Sequence, residues 1–417
     1  MDEAPPHNDA TRRVSCCIAG GGPAGVLLGL LLARAGVEVL VLEKHADFLR
    51  DFRGDTVHPS TLEIMHELGL LDAFLKQPHQ EARRITAYIG EEKVPIADFT
   101  HLKTACPFVA LMPQWDFLNF VARQAQSYPS FHLMMEAQVT QLIEEKGRIV
   151  GVRAKTPDGL LTVHSELVVG ADGRHSTVRR LAGLSVENLG APIDVLWMRL
   201  TRRPTDPSQP LGRFNRGQIF IMIDRGDYWQ CALVIAKGAF DRVRQDGLAQ
   251  FRATIIDAAP FMRDRVEDLK HWDDVKLLTV TVDRLRRWYR PGVLCIGDAA
   301  HAMSPVGGVG INLALQDAVA TANLLAVSLL TGKLTTADLG RVQRRRELPT
   351  RIIQRLQIIV QNRILSSVLA SRSDLKVPRV ARLLQRYPVL RRIPARLIGV
   401  GIRPEHVRSP ESKPASV

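Results

Sequence analysis

The pattern of apolar and polar residues predicts a βαβ unit at the start of the chain. An apolar run over 14–19 predicts a buried strand, the Leu- and Ala-rich residues 26–35 predict a buried helix, and 37–42 predict a second strand. The preceding residues 1–13 carry two prolines and no apolar run, so we expect them to be disordered and not a signal peptide.

Strand and helix patterns alternate along the rest of the chain, which favours an α/β fold. The predicted strand regions are 84–97, a β-meander over 131–169, 193–235 and a strand pair over 276–296. The predicted helices are 59–69, 113–126, a polar stretch over 240–268, a long apolar helix over 309–330, and further helices to the end.

The charge is concentrated in one segment. The formal net charge is +13 over 417 residues, and residues 333–417 hold 19 Lys or Arg against 5 Asp or Glu. The remainder is close to neutral, so we expect a basic C-terminal region on a neutral body. No nucleic-acid-binding motif accompanies this charge, so we expect no nucleic acid partner.

The five cysteines are odd in number and lack metal-ligand spacing. They are Cys16, Cys17, Cys106, Cys231 and Cys295. We expect buried free thiols in a reducing cytoplasm, and no metal site.

A first motif lies between the predicted first strand and helix. Gly20, Gly22 and Gly25 form Gly-x-Gly-x-x-Gly, and Glu43 ends the next strand. In a dinucleotide site, these glycines permit a tight turn, the approach of a pyrophosphate and close packing of helix on strand, while the acid accepts hydrogen bonds from a ribose. A carboxylate here would repel a ribose phosphate, which favours FAD or NAD over NADP. The alternative is a glycine-rich turn with Glu43 on the surface.

Two further motifs follow buried strands. Asp172-Gly173 comes after one of them, where the alternative interpretation is a strand-to-helix turn capped by Ser176. Asp298 comes after another and could accept hydrogen bonds from a sugar-alcohol chain. The loop that then opens the long helix contains Pro305, Gly307, Gly308, Gly310 and Asn312. The helix start would direct its amides at an anion, such as the pyrimidine end of a reduced flavin.

Together, these motifs resemble those of the class A flavin monooxygenases, the para-hydroxybenzoate-hydroxylase-like family, over roughly residues 14–330. The resemblance implies a Rossmann-like FAD-binding domain with an inserted mixed β-sheet substrate domain and a helical C-terminal tail. The implied boundaries are 1–75, 105–185 and 285–330 for the FAD domain, 76–104 and 186–284 for the substrate domain, and 331–417 for the tail. The implied FAD-binding residues are Gly20, Gly22, Gly25, Glu43, Arg53, Asp172, Gly173, Asp298, Gly307, Gly308, Gly310 and Asn312.

The resemblance also implies a reaction. In that family NADPH or NADH reduces the flavin, which reacts with molecular oxygen to give a flavin hydroperoxide that hydroxylates the substrate. Arg53, His58 and Pro305 are the candidate catalytic residues, because their loops would border the flavin. Gly399-x-Gly401 lacks the context of a second dinucleotide site, so NADH versus NADPH stays open.

We therefore expect a monooxygenase that hydroxylates an aromatic, polycyclic or quinone-precursor substrate. Two alternatives stay open: a flavin-dependent reductase of isoprenoid double bonds, and a non-catalytic flavin-binding accessory protein. No tryptophan pair shows the Trp-x-Trp-x-x-Pro spacing of flavin halogenases, which argues against halogenation.

Several side chains have two interpretations. His58 could transfer protons or simply bond to backbone, and His301 is expected to be structural. Tyr228 and either Arg213 or Arg216 could orient a phenolate or carboxylate, or could be exposed strand residues.

The tail contains a basic amphipathic helix near 379–387, with arginines on one face and apolar residues on the other. It could lie on an anionic membrane, which would place the enzyme in the cytoplasm and peripheral to the inner membrane face. It could instead cover the body with its apolar face, and this second arrangement is the expectation.

Overall fold

The computed structural model describes residues 10–49, 56–206 and 212–412, and its strands build two large sheets. In chain order, the strands of these residues are β1 (Ala10–Ala19), β2 (Val39–Leu42), β3 (Thr56–Val57), β4 (Gln80–Ala82), β5 (Arg84–Ile89), β6 (Glu92–Asp98), β7 (Val109–Leu111), β8 (Phe131–Met134), β9 (Gln138–Glu145), β10 (Arg148–Thr156), β11 (Gly159–Gly170), β12 (Val186–Asn188), β13 (Ile193–Thr201), β14 (Gly212–Asn215), β15 (Gln218–Asp224), β16 (Tyr228–Ala236), β17 (Lys276–Leu278), β18 (Asp283–Leu285), β19 (Tyr289–Arg290) and β20 (Val293–Cys295).

The first sheet has the order β19-β20-β11-β1-β2-β8, with β10 and β9 added as a meander beside β11. The strands β20, β11, β1, β2 and β8 run parallel to one another, whereas β19 and β10 pair antiparallel with β20 and β11. Parallel strands are usually covered on both faces, and residues 39–42 of β2 are accordingly all buried. This sheet is the framework on which the sequence motifs are placed.

The second sheet has the order β17-β13-β16-β15-β14-β5-β6 and is mostly antiparallel. Its strands come from two stretches of the chain, 84–98 and 193–278. Strands of the first sheet and two helices lie between these stretches in the sequence. One face packs on a helix through an apolar cluster that includes Met198, Phe220 and Trp229. The domain boundaries given above remain a prediction.

The helices cover both sheets and form the C-terminal region. In chain order they are α1 (Pro23–Arg34), α2 (Pro59–Glu67), α3 (Leu71–Leu75), α4 (Gln114–Ala125), α5 (Thr177–Leu181), α6 (Phe240–Gln245), α7 (Leu248–Ala258), α8 (Gly310–Leu330), α9 (Thr336–Val360), α10 (Ser366–Ala370), α11 (Arg379–Arg386) and α12 (Arg392–Gly399). A π-helical turn, Gln361–Leu365, joins α9 to α10.

The long apolar helix is a core element. The segment Val306–Leu330 passes a length and hydropathy test for a membrane span, yet 72% of its most apolar window is buried inside the protein. Its helix α8 packs against α1, which is buried from Ala24 to Ala33. An all-round apolar helix of this kind is typical of a protein core.

Most predicted elements are present, including the βαβ opening, the long helix and the buried free cysteines. Three expectations are wrong. Residues 10–13 belong to β1, because they pair with β11. Strand β8 joins the parallel sheet beside β2 instead of the meander. The helical stretch 240–268 is broken at Gly247, whose φ of +90° is disfavoured for other residues.

Candidate active site

The three sequence motifs begin at one edge of the parallel sheet. Leu42, Ala19, Gly170 and Cys295 are neighbours across β2, β1, β11 and β20. The amide of Ala171 donates to the Ala19 carbonyl (2.8 Å), and the amide of Ile296 donates to Gly170 (3.0 Å). Motifs as far apart in sequence as Gly20 and Asp298 therefore share the carboxyl edge of the sheet, where open α/β sheets bind ligands.

The glycine turn is packed at two positions and open at the third. A Cβ atom at Gly20, whose φ is +107°, would lie 2.4 Å from the Ala171 oxygen, and one at Gly25 would lie 1.9 Å from the Gly20 oxygen. A Cβ at Gly22 would have no atom within 4 Å. Gly22 is the N-cap of α1, so this open space lies where the first helix amides have no intrahelical partner.

Glu43 lies beside this turn and is buried. Its carboxylate accepts a hydrogen bond from the Gly21 amide (2.8 Å) and one from the His45 amide (3.1 Å), and it also contacts the His45 ring. The carboxylate is thus fixed next to the start of α1.

Asp172 and Gly173 form the second motif. The Asp172 carboxylate accepts hydrogen bonds from the amides of Thr177 (2.7 Å) and Val178 (3.1 Å) and from the Ser176 hydroxyl. The Ser176 oxygen in turn accepts from the Arg179 amide (3.0 Å), so the capped turn predicted as an alternative is present. Asp172 therefore stabilises the turn, and Gly173, with a φ of +81°, leaves space within 4 Å of where a Cβ would be.

An ion pair connects the second and third motifs. The Arg174 guanidinium lies 3.8 Å from the Asp298 carboxylate, and the Asp298 side chain is 32% exposed. Asp298 is therefore held at the sheet edge while part of its carboxylate still faces solvent.

The loop from Pro305 to Asn312 carries two left-handed glycines, Gly307 (φ +78°) and Gly308 (φ +63°). A Cβ at Gly308 would lie 2.6 Å from the Thr56 hydroxyl, so a larger residue would clash there. Helix α8 begins at Gly310, and the buried Asn312 side chain accepts a hydrogen bond from Thr61 (2.7 Å). The loop is therefore fixed on both sides, with its helix amides at the start of α8.

His58 is buried between this loop and the C-terminal region. Its Nδ1 lies 2.8 Å from the Ile398 carbonyl, and its Nε2 lies 3.2 Å from the Thr56 hydroxyl. A carbonyl can only accept, so the geometry assigns the proton to Nδ1. Burial lowers the pKa of His58 to about 4, so the ring is neutral at pH 7.

A buried ionic network supports the third motif, and the sequence analysis did not find it. Asp317 of α8 accepts hydrogen bonds from the Gly297 amide (3.0 Å), His301 Nε2 (2.6 Å) and Arg346 Nε (2.9 Å). Arg346 also reaches Glu405 (3.1 Å). Burial opposes the charged form, but His301 and Arg346 outweigh it and lower the pKa of Asp317. The available signal was a single charged residue within the apolar helix.

Three glutamines of α9 and the turn after it hold the strand-to-loop backbone. Gln354 donates to Ala302 (3.1 Å) and Asp283 (2.7 Å). Gln357 donates to the carbonyls of Ser304 and Val306, both at 2.9 Å, and accepts from the Ser304 amide at 3.2 Å. Gln361 donates to the Ser304 hydroxyl. We call Gln354, Gln357 and Gln361 the glutamine row.

The remaining candidates lie elsewhere. Arg53 lies outside the described residues. The Tyr228 ring is covered by the Arg199 guanidinium at 3.8 Å, and Arg213 lies over the Tyr88 ring at 4.6 Å. Arg216 is exposed, and His301 is structural as expected, because it is buried against Asp317.

Sequence comparison identifies the family. The FAD binding domain family matches residues 13–355 of this chain, which is most of its length. The chain belongs to this family. A 6-methylpretetramide 4-monooxygenase from Streptomyces rimosus is 32% identical over 418 residues, which is 99% of each chain. A 3-demethoxyubiquinol 3-hydroxylase from Escherichia coli is 25% identical over 81% of this chain and 86% of its own.

Solved structures show the same fold. The anhydrotetracycline hydroxylase OxyS from Streptomyces rimosus matches with a TM-score of 0.72 and 24% identity, over 93% of this chain and 76% of its own. PqsL from Pseudomonas aeruginosa, described as a probable FAD-dependent monooxygenase, matches with a TM-score of 0.72 and 21% identity, over 86% of this chain and 97% of its own.

These findings confirm the expected family, fold class, cofactor and enzyme class. The chain is an FAD-dependent monooxygenase of the aromatic hydroxylase type. The open space at Gly22, the fixed Glu43 carboxylate and the helix start at Gly310 fit an extended dinucleotide that ends in a flavin. The reductase and accessory alternatives are not favoured.

Proposed function

We propose that this enzyme hydroxylates a polycyclic aromatic substrate of the aromatic polyketide type, with molecular oxygen and either NADPH or NADH as the transient reductant. The observation that supports this most directly is the match over 99% of both chains to a monooxygenase of 6-methylpretetramide. Quinone precursors are the second substrate class, supported by the more distant demethoxyubiquinol hydroxylase.

The cofactor site is assigned from the geometry of the sheet edge. Gly22 would leave room for the pyrophosphate, while Gly20 and Gly25 permit the tight turn and the close packing of helix on strand. Glu43 would accept hydrogen bonds from the ribose, and Asp298 would accept them from the ribityl chain. Gly307, Gly308, Gly310 and Asn312 border the flavin, and Pro305 fixes the start of their loop. Asp172 and Gly173 support the same site through their turn, and Arg53 keeps the role implied by the family resemblance.

When bound, FAD accepts a hydride from the nicotinamide and activates oxygen. The residues of the chain orient the cofactor and substrate and exclude water from the site. The start of α8 at Gly310 would present free amides to a bound flavin, where they would stabilise negative charge. Neutral His58 contacts both the Thr56 hydroxyl and the Ile398 carbonyl, and it so connects the residues beside the loop to the C-terminal region. We therefore assign it a positioning role in place of the expected catalytic one.

The substrate would lie between this loop and the second sheet. Val306 of the loop packs in one apolar cluster with Phe214, Ile221 and Trp197 of the sheet. An apolar and aromatic wall of this kind suits a flat ring system, and it keeps water away from the reacting atoms. This arrangement supports a substrate made of fused aromatic rings.

The test is reductant oxidation by the FAD-loaded protein with polyphenolic tetracyclic compounds, simple phenols and quinone precursors. We expect a polycyclic phenol to stimulate NADPH or NADH oxidation and to yield a product one oxygen atom heavier by mass spectrometry. Stimulation by quinone precursors alone would select the second substrate class. Oxidation that reduces a carbon–carbon double bond without adding oxygen would contradict the proposal.

We further propose that the enzyme is cytoplasmic and contacts a membrane peripherally through its basic C-terminal region. The charge of residues 333–417 supports this contact. The surface that would make it can be identified from the exposed residues of two helices.

A further inference from the structure

Helix α11 directs its apolar stripe toward solvent. Val380, Leu383 and Tyr387 follow an i, i+3, i+7 spacing, and they are 70%, 49% and 48% exposed. A stripe of this kind normally faces the core of a globular protein. The expectation that the tail covers the body with its apolar face is therefore wrong for this helix.

The helix is attached to the body by a different side. Ala381 is buried in a small cluster with Val94 and Val377, and the Gln385 side chain donates to the Lys93 carbonyl (3.4 Å). The Arg391 guanidinium donates to the carbonyl of Leu384 (2.7 Å), which anchors the end of the helix. These contacts fix the orientation, so the outward stripe is a property of the folded chain.

The apolar surface continues into the next turn and α12. Val389 and Ile393 are 58% and 66% exposed. On its other side, α12 is buried through Ala395 and Gly399, whose Cβ position lies 3.0–3.1 Å from Leu102, Phe99 and Pro59. We call Val380, Leu383, Tyr387, Val389 and Ile393 the tail patch.

The charged residues of the segment that carries the tail patch have one sign. Exposed arginines flank it, and the sequence between Asp374 and Glu405 contains no acidic residue. These arginines are Arg379, Arg382, Arg386, Arg392 and Arg396. The tail patch therefore combines protruding apolar side chains with a positive rim.

We propose that the tail patch is a docking surface for an anionic lipid bilayer. Apolar side chains of this size insert at the boundary between headgroups and acyl chains, and surrounding arginines bind anionic headgroups. A bilayer offers both negative charge and a deformable apolar layer, which matches side chains that protrude from two successive helices. This inference extends the proposed function and does not depend on the identity of the substrate.

The test uses the full-length, FAD-loaded protein and sedimentation with vesicles. Vesicles of phosphatidylcholine with phosphatidylglycerol are compared with vesicles of phosphatidylcholine alone. We expect binding to the anionic vesicles that weakens as salt is raised. Arg382→Gln with Arg386→Gln should weaken it by about fivefold for each arginine removed.

The decisive variant is Leu383→Asp with Ile393→Asp, and the matched control is Val327→Asp with Leu330→Asp. The control residues are also exposed apolar residues, at 59% and 46%, but belong to the end of α8. We expect the tail-patch variant to lose at least tenfold in vesicle affinity and the control to keep it. Unchanged flavin content and melting temperature verify that both variants are folded.

Three outcomes would overturn the proposal. They are equal binding by the tail-patch variant and the wild type, equal binding to both vesicle compositions, and no binding to either. Light scattering without vesicles provides a fourth: a wild-type dimer that the tail-patch variant abolishes would assign the surface to a second copy of the chain. None of these readouts uses substrate, so a failure here leaves the hydroxylase proposal untouched.

Discussion

The glycines of the first motif differ in what surrounds them, although the sequence pattern treats them alike. Gly25 is required by packing, because its Cβ position overlaps the Gly20 carbonyl. Gly22 has open space and an ordinary φ of −74°, so the fold itself does not require glycine there. The structure thus separates a packing glycine from one that only a ligand would need.

Gly22→Val should therefore fold and fail to retain FAD. The valine side chain would fill the space before the α1 amides without straining the backbone. Flavin absorbance of the purified protein, together with its circular dichroism, measures both properties. Gly25→Val is the contrasting variant and should not fold. Full flavin content in Gly22→Val would refute the placement of the pyrophosphate.

His58 should make stability depend on pH. Its pKa falls from 6.5 to about 4 on folding, so between these values the unfolded chain binds a proton that the folded chain does not. Stability is therefore lost as pH falls through this window, by about 2 kcal/mol between pH 7 and pH 5.

His58→Asn should flatten this dependence, because asparagine can still donate to the Ile398 carbonyl but does not titrate. The measurement is urea unfolding of the FAD-free protein at pH 7 and pH 5. An identical change in unfolding free energy in both proteins would show that His58 is not responsible.

At the scale of elements, the glutamine row connects α9 to the backbone that leads into the loop from Pro305 to Asn312. Gln357 alone satisfies three backbone groups of Ser304 and Val306. A buried backbone group left unpaired costs roughly 1–3 kcal/mol. The row therefore stabilises the start of the loop, while Thr56 contacts Gly308 further along it.

Gln357→Leu should lower the unfolding free energy by about 3 kcal/mol and loosen the loop. With a loosened loop, more reductant should be consumed per hydroxylated product. The ratio of NAD(P)H oxidised to product formed measures this effect. Arg355→Leu, an exposed position on the same helix, is the control. A destabilised Gln357→Leu protein with an unchanged ratio would limit the row to structural support.

Elements with a strong local pattern could be predicted from the sequence. The βαβ opening, the β9–β11 meander and α8 have clear periodicity, and their existence needs no distant contact. The pairing of β8 with β2 could not be predicted, because a four-residue strand carries no information about its neighbour. The orientation of α11 could not be predicted either, because periodicity identifies an apolar stripe but not the surface that the stripe faces.

At the scale of the molecule, the family resemblance implied that the three motifs share one site, and the parallel strands β1, β11 and β20 bring them to one edge. The buried ionic network that supports the third motif could not be predicted from the sequence. Asp317, Arg346 and Glu405 come from α8, α9 and the C-terminal segment, and their pairing depends on the packing of all three. One sequence without the structure cannot show that these charges meet.

Arg346→Met should be strongly destabilising. It would leave the carboxylates of Asp317 and Glu405 without their shared partner in a buried site, a loss of about 3–5 kcal/mol. Adding Asp317→Asn should recover part of this, because it removes a buried negative charge that Arg346 helps to balance. Urea unfolding of the single and double variants measures the coupling. Simple additivity of the two substitutions would contradict a shared network.

The same long-range pairing sets an order of events during protein synthesis. The edge on which FAD is placed needs β1 and β20, which leave the ribosome some 270 residues apart, or roughly 15–55 s at ordinary elongation rates. The end of the described chain then returns to the first helix, where the Ser412 amide donates to the Arg34 carbonyl (2.8 Å). The nascent chain therefore waits with an unfinished sheet, and we expect cofactor capture to follow the emergence of β20 from the ribosome.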